Sequence, residues 1–371
     1  MDRKETSRTR AAHAGHVGHI ARIAHVALMM ACAIAGGLGL ADTAAASDAS
    51  TATTPAHTTV PATPPAAALA ASHVPATDPP AMCTRRLDRP ERDPSLRAQT
   101  LRTPGGAIAY YRFGKGEPIV LVTGYRATLE EWDANFLAAL ARRHEVIVFD
   151  NRGVGQSRGA GDDAAADAGA NFGIEDMAHD TATLIRALGL TRPTLLGWSM
   201  GGMIAQQLAV DQPELIGRLV LLSTQAPGRQ GVPVSPPVLA TLDGHSPHPY
   251  ADVMRVLFPP SAQPAALRCF VDAMFRPLDY AAAPFPPRTA AVQARLLERW
   301  RDAERIYAHL RHLSLPTTVI AGRQDAILSP VNATVLARAV PHARLVWFDD
   351  GGHALMYQYP DALASALDAP R

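Results

Sequence analysis

Gly197-Trp198-Ser199-Met200-Gly201 has the glycine-flanked form of a nucleophile elbow, with an apolar run, Thr194 to Leu196, before it and a helix-like run, Met203 to Val210, after it. Gly197 and Gly201 let such a strand-to-helix turn close without Cβ clashes, and Gly202 lets the following helix pack closely. A serine hydroxyl is a weak nucleophile at neutral pH, so Ser199 needs a base, and the base needs an orienting carboxylate. His353, in Asp349-Asp350-Gly351-Gly352-His353, follows the last apolar run and is the base expected from the chain order serine, acid, histidine. Asp325, in Gly322-Arg323-Gln324-Asp325, follows the preceding run and is the expected acid. Asp349 and Asp350 lie nearer His353 in sequence but read as turn formers, and Ser223-Thr224-Gln225 offers no carboxylate. A tetrahedral intermediate also needs donors aimed at its oxygen. The backbone N–H of Met200 is one; that of Tyr125, in the turn Thr123-Gly124-Tyr125, is expected to be the other.

These residues must be held by a sheet. Ile119-Val122, Val146-Phe149, Thr194-Leu196, Leu219-Leu222, Thr318-Ile320 and Leu345-Phe348 are near-continuous apolar runs, as in strands buried on both faces. Between them lie helix-like stretches such as Ile174 to Leu188, with Gly189 placed to end it, and a start signal at Ser329-Pro330. The alternation predicts an α/β fold, a doubly wound, mostly parallel sheet whose strand carboxyl ends carry the chemistry. From Gln225 to Leu313 the rhythm gives way to Pro-rich loops and helix-like segments, read as a mainly helical cap inserted over residues 225–313.

Over roughly residues 97 to 371 the chain resembles the α/β-hydrolase superfamily. Besides the elbow, Asp150-Asn151-Arg152-Gly153-Val154-Gly155-Gln156-Ser157 is similar to the family's D-x-R-G-x-G-x-S loop, which is structural; Thr123-Gly124 stands where many relatives carry His-Gly. The resemblance implies an α/β-hydrolase core over residues 96–224 and 314–371. It also implies acyl transfer to water through an acyl-enzyme on Ser199. Members that dehalogenate alkanes or open epoxides use aspartate at that position, and proline-releasing peptidases of this fold usually show Gly-Gly-Ser-Trp-Gly, which is absent. Gly153, Gly155 and Gly159 miss the dinucleotide spacing by one residue, so no nicotinamide cofactor is expected. The expected activity is a cofactor-free, metal-free serine esterase acting on small or medium neutral carboxylic esters. A C–C bond hydrolase or a perhydrolase on the same triad, or a non-hydrolytic binding protein on the same fold, are the alternatives. Met254, Val256, Leu257, Phe258, Phe270, Met274, Phe275, Tyr280 and Phe285 of the cap divide between its own core and, with Trp198, an apolar acyl pocket.

Composition bounds the rest. Hydrophobic residues at 47% and charged residues at 19% of a 371-residue chain are globular usage, and a net charge of +1 gives no footprint for nucleic acid. Residues 1–46 read as a secretory signal peptide or a membrane anchor. Arg3, Lys4, Arg8, Arg10 and Arg22 precede an apolar run from Ile23 to Leu40, close to the roughly 20 residues of a bilayer span, and Ala44-Ala45-Ala46 offers a cleavage site. The protein is therefore expected to be exported, periplasmic or secreted, with a possible membrane tether. Residues 47–95, rich in Ala, Thr and Pro, read as a disordered tether. Cys32, Cys83 and Cys269 form no metal or CxxC spacing; export permits Cys83 and Cys269 to pair, though nothing in the sequence brings them together.

Overall fold

The computed structural model describes residues 71–75, 81–84, 86–103, 106–159, 172–281 and 285–368. The expected signal or anchor over residues 1–46 lies outside the described residues, as does most of the expected tether. Among the described residues no helix is long and apolar enough to cross a membrane.

Among the described residues ten strands form one sheet. They are β1 (Ala71–Val74), β2 (Gln99–Thr103), β3 (Gly106–Gly114), β4 (Glu117–Val122), β5 (His144–Phe149), β6 (Arg158–Gly159), β7 (Thr194–Trp198), β8 (Arg218–Leu222), β9 (Thr317–Gly322) and β10 (Arg344–Phe348). Their order is β1-β10-β9-β8-β7-β4-β5-β3-β2, with β6 beside β3. The pairs from β1 to β5 along that order are parallel, and those made by β3 with β5, β2 and β6 are antiparallel. Each expected apolar run lies inside one of the parallel strands, and successive side chains feed two separate cores. Ile119 and Leu121 of β4 pack with Phe136 and Leu140 of α1 (Ala134–Ala141) on one face. Val120 and Val122 pack on the other with Leu184 of α2 (Ile174–Ala187) and Met203 of α3 (Met200–Asp211). Burial on both faces is what a continuous apolar run requires, each such side chain contributing about 1.5–3 kcal/mol. Helix α2 ends as expected, one residue short of Leu188, with Gly189 at a φ of 65°.

Residues 225–313 fold as α4 (Pro236–Leu242), α5 (Pro249–Leu257), α6 (Gln263–Ala273), α7 (Pro287–Arg299) and α8 (Glu304–Leu310). The first four carry proline in their first turn, where a missing N–H costs nothing. That explains how a Pro-rich stretch is also helical. The core then resumes with α9 (Val331–Ala339), α10 (Leu355–Gln358) and α11 (Pro360–Asp368). Pro330, expected to open α9, instead occupies its cap position.

The expected disordered tether over residues 47–95 is corrected at residues 71–75, 81–84 and 86–95. β1 lies on the open edge of β10, Ala71 opposite Leu345 and Val74 opposite Phe348. Main-chain pairing to a free edge needs no apolar side chains, so the composition concealed it. Further on, Arg89 donates to the carbonyls of Asp272 (2.8 Å) and Met274 (3.0 Å) in the cap, and Asn135 of α1 donates to Thr84 (3.1 Å). Cys83 and Cys269 are joined in a disulfide, which closes a sequence separation of 186 residues between this segment and α6. The segment thus clasps cap to core. Thiol titration of denatured, unreduced protein is expected to find neither cysteine free, and Cys83→Ala with Cys269→Ala to lower unfolding stability by about 2–5 kcal/mol. Two titratable thiols at these positions would overturn the pairing.

Candidate active site

All five expected site residues follow the carboxyl ends of parallel strands of the one sheet: Tyr125 after β4, Ser199 and Met200 after the neighbouring β7, then, beyond β8, Asp325 after β9 and His353 after β10. Ser199 sits at φ 57° and ψ −124°, on the left-handed side that a side chain adopts only when its surroundings hold it. Its N–H donates to Leu222 (3.0 Å), and its carbonyl accepts from Gly202 N–H (2.9 Å) and the Thr224 hydroxyl (2.6 Å). The turn also needs its glycines. A Cβ on Gly197 would meet the Gly201 carbonyl at 2.3 Å, one on Gly201 the Val122 carbonyl at 2.2 Å, and one on Gly202 the Thr224 side chain at 2.4 Å.

Asp325 and His353 meet in a hydrogen bond of 2.8 Å between Oδ2 and Nδ1, both side chains almost wholly buried. The other carboxylate oxygen of Asp325 accepts the N–H groups of Ile327 (2.9 Å) and Leu328 (2.8 Å), which fixes the carboxylate plane. With Nδ1 facing a carboxylate, Nδ1 carries the proton and Nε2 is left as the acceptor. Trp198, next to Ser199, donates from its indole to the His353 carbonyl (3.1 Å), its ring 5.6 Å from the imidazole. His353 N–H donates to Leu257 of the cap (2.9 Å). The base is thus tied to the elbow and to the cap.

Gly124 lies against the nucleophile: a Cβ there would stand 3.0 Å from Ser199 Cβ. Met200 opens α3, so its N–H belongs to the unpaired first turn at the positive end of a 12-residue helix. The Tyr125 phenol donates to Asp243 (2.6 Å), and burial, with that carboxylate, pushes it above the usual phenol range so that it stays protonated. In the D-x-R-G-x-G-x-S loop, Asp150 accepts from Leu129 N–H, Gln156 N–H and the Tyr280 hydroxyl of the cap. Burial pushes its carboxyl up to about 6.

The expected division of the cap's apolar residues shifts. Met254, Leu257, Phe258, Phe270, Met274, Phe275 and Tyr280 all join the core cluster that also holds Trp198, Trp132 and Tyr111. They seal cap to core, Phe275 against Tyr111 and Phe270 against Tyr357. Elsewhere some buried polar atoms, Ser223 Oγ, both amide atoms of Gln225 and Gln293 Nε2, have no hydrogen-bond partner. Sequence reasoning missed Asp243, Gln293 and Thr224 because their roles depend on packing across elements. Asp349 and Asp350 do more than form a turn: Asp349 accepts from Arg323 (3.0 Å) and Asp350 from Gln324 (2.6 Å) and Ser261 (2.6 Å), bracing the acid and base loops. Among the described residues no group of three or more His, Cys, Asp or Glu side chains is arranged to hold a metal ion.

A family model for the alpha/beta hydrolase fold matches residues 117–360. The chain belongs to this family. It is 31% identical over 240 residues to a protein of Variovorax paradoxus that bears the name carbamate hydrolase RutD, covering 64% of this chain and 85% of that one. It is 28% identical over 287 residues to a protein of Mycobacterium tuberculosis that bears the name non-heme bromoperoxidase BpoC, covering 70% and 95%. Among solved structures, an alpha/beta hydrolase fold protein from Chitinophaga pinensis superposes with a TM-score of 0.61 at 22% identity, over 74% of this chain and 96% of that one. A thermophilic esterase from Thermogutta terrifontis does so with a TM-score of 0.58 at 24% identity, over 73% and 97%. At these identities the two structures speak for the fold. Hydrolytic chemistry is the coarse activity that the family and its relatives support.

Proposed function

We propose that the chain is a serine hydrolase of carboxylic esters, with Ser199 as nucleophile, His353 as general base and acid, and Asp325 as the carboxylate that orients it. The observation that supports this most directly is the buried 2.8 Å bond between Asp325 and His353, whose carbonyl accepts from Trp198, the neighbour in sequence of a serine held at a positive φ. Ser199 Oγ attacks the ester carbonyl carbon while His353 Nε2 takes its proton. The carbonyl oxygen becomes an oxyanion, received by the backbone N–H groups of Tyr125 and Met200. Collapse breaks the bond to the alcohol oxygen, which leaves with the proton from His353. Water, deprotonated by the same imidazole, then cleaves the acyl-enzyme to a carboxylic acid and free Ser199. No step needs an added oxidant, metal or cofactor.

Export belongs to this reading as well, supported by the Cys83–Cys269 disulfide, a bond that persists in oxidising compartments. The proposed substrates are small to medium neutral esters, each CH₂ that the acyl group buries against apolar side chains adding about 0.8 kcal/mol. A nitrophenyl ester series from acetate to palmitate, run beside peptide and ring-cleavage dienone substrates, tests it. An optimum among the shorter acyl chains with no peptide cleavage is expected. Inactivity on every ester with turnover of the dienone would transfer the assignment to C–C hydrolysis.

A further inference from the structure

The loop that offers the Tyr125 N–H is held from the cap, not from the core alone. Arg126, directly after Tyr125, has a φ of 52°, a conformation that a side chain relaxes out of unless it is restrained. Its N–H donates to Gln293 Oε1 of α7 (2.9 Å), and Gln293 is fully buried. An N–H can face only the oxygen of that amide, so the orientation of Gln293 is set by the loop it holds. Asp243, which caps the carboxyl end of α4, accepts the Tyr125 hydroxyl (2.6 Å) and the Arg126 guanidinium (3.1 Å). The same guanidinium lies over the Phe285 ring at 5.6 Å. Two separate cap helices therefore grip consecutive residues of the loop whose Gly124 abuts Ser199.

We infer that Asp243 and Gln293 are positioning residues for the proposed reaction: they clamp the oxyanion loop, so the hole is complete only when the cap is docked. The inference rests on the reading of Ser199 as nucleophile and of Tyr125 N–H as an oxyanion donor. The direction of that N–H is set by ψ of Gly124 and φ of Tyr125, and with both ends of this short loop fixed, relaxation of Arg126 from its positive φ has to be taken up by those torsions, which shifts the donor from the oxyanion. The clamp acts through the loop that carries an oxyanion donor, so its loss is expected to fall on kcat and to leave KM little changed.

The test compares Tyr125→Phe, Asp243→Ala, Gln293→Met and Gln293→Glu in the full chain. Tyr125→Phe keeps the backbone N–H and loses only the bond to Asp243. Gln293→Met keeps the length of glutamine without the acceptor, and Gln293→Glu restores an acceptor. Titration to completion with a fluorophosphonate counts competent sites, so misfolded protein is not mistaken for slow catalysis. Per competent site, kcat on a nitrophenyl ester is expected to fall roughly 10- to 100-fold in Tyr125→Phe and Gln293→Met, with KM within about 3-fold, because oxyanion donors act only in the transition state. Affinity for a trifluoromethyl ketone, whose adduct with Ser199 carries an oxyanion, is expected to fall in the same proportion. Gln293→Glu should recover most of the loss, and Tyr125→Phe should add little in the Asp243→Ala background, which has no acceptor for the phenol. Unchanged kcat in Tyr125→Phe and Gln293→Met, a loss confined to KM, or a loss accounted for by fewer titratable sites would overturn the clamp. A wild-type protein that neither labels at Ser199 nor turns over any ester would overturn the reading of the site, and the clamp with it.

Discussion

Ser199→Ala is expected to lower ester turnover by roughly 10⁴- to 10⁶-fold and to abolish fluorophosphonate labelling, with almost no change in the melting temperature. The substitution removes one oxygen and leaves every interaction that holds the elbow. The contacts to Leu222, Gly202 and Thr224 are made by the Ser199 backbone, and alanine at φ 57° meets the same steric cost as serine. What disappears is the atom that forms the acyl-enzyme. The residual rate measures what the oxyanion donors and binding alone supply to attack by water. Melting curves and ester kinetics on the same preparation separate the two effects. Activity near wild type would reject Ser199 as the nucleophile, whatever the strain at its backbone.

The parts of this architecture that were legible in the sequence share a physical origin. β4, β5, β7, β8, β9 and β10 are buried on both faces, so their apolar runs are continuous, and the turns after them carry Ser199, Asp325 and His353 because parallel strands present their carboxyl ends on one edge. β1 was illegible because its exposed residues are bound through the backbone to β10, with Asp349 N–H donating to Val74 (3.1 Å) beyond the last pair. The antiparallel strands β2 and β3 were equally hard to read, Gln99–Thr103 being mostly exposed and polar. The pairing of Cys83 with Cys269 is made in space across 186 residues, and no spacing rule reaches that far. Gln293 and Asp243 carry no local mark at all: a glutamine on an amphipathic helix and an aspartate after a short one acquire roles only when the cap meets the loop after β4.

Asp325→Asn is expected to reduce kcat by roughly 10⁴-fold, whereas Asp349→Asn and Asp350→Asn each stay within about 10-fold of wild type. Asp325 uses both oxygens: one accepts Ile327 and Leu328 N–H, the other His353 Nδ1–H. An asparagine there keeps its carbonyl on the two backbone donors, since its amide nitrogen would oppose them. The NH₂ then faces His353 Nδ1 and can be satisfied only if that nitrogen is the acceptor. The proton moves to Nε2, the imidazole can no longer take one from Ser199, and no carboxylate remains to stabilise the imidazolium. Asp349 and Asp350 lack that leverage. The exposed Asp349 carboxylate meets His73, whose hydrogen bond is the main cause of its lowered pKa, and Arg323; Asp350 meets Gln324 and Ser261. Their side chains brace the two loops, but main-chain bonds hold the same loops without them, Arg323 N–H to Phe348 (3.0 Å) and Gln324 N–H to Gly351 (2.9 Å). Steady-state kinetics of the three variants decide between carboxylates close in sequence and the one close in space. Should Asp350→Asn prove more damaging than Asp325→Asn, the orienting role would pass to the loop brace.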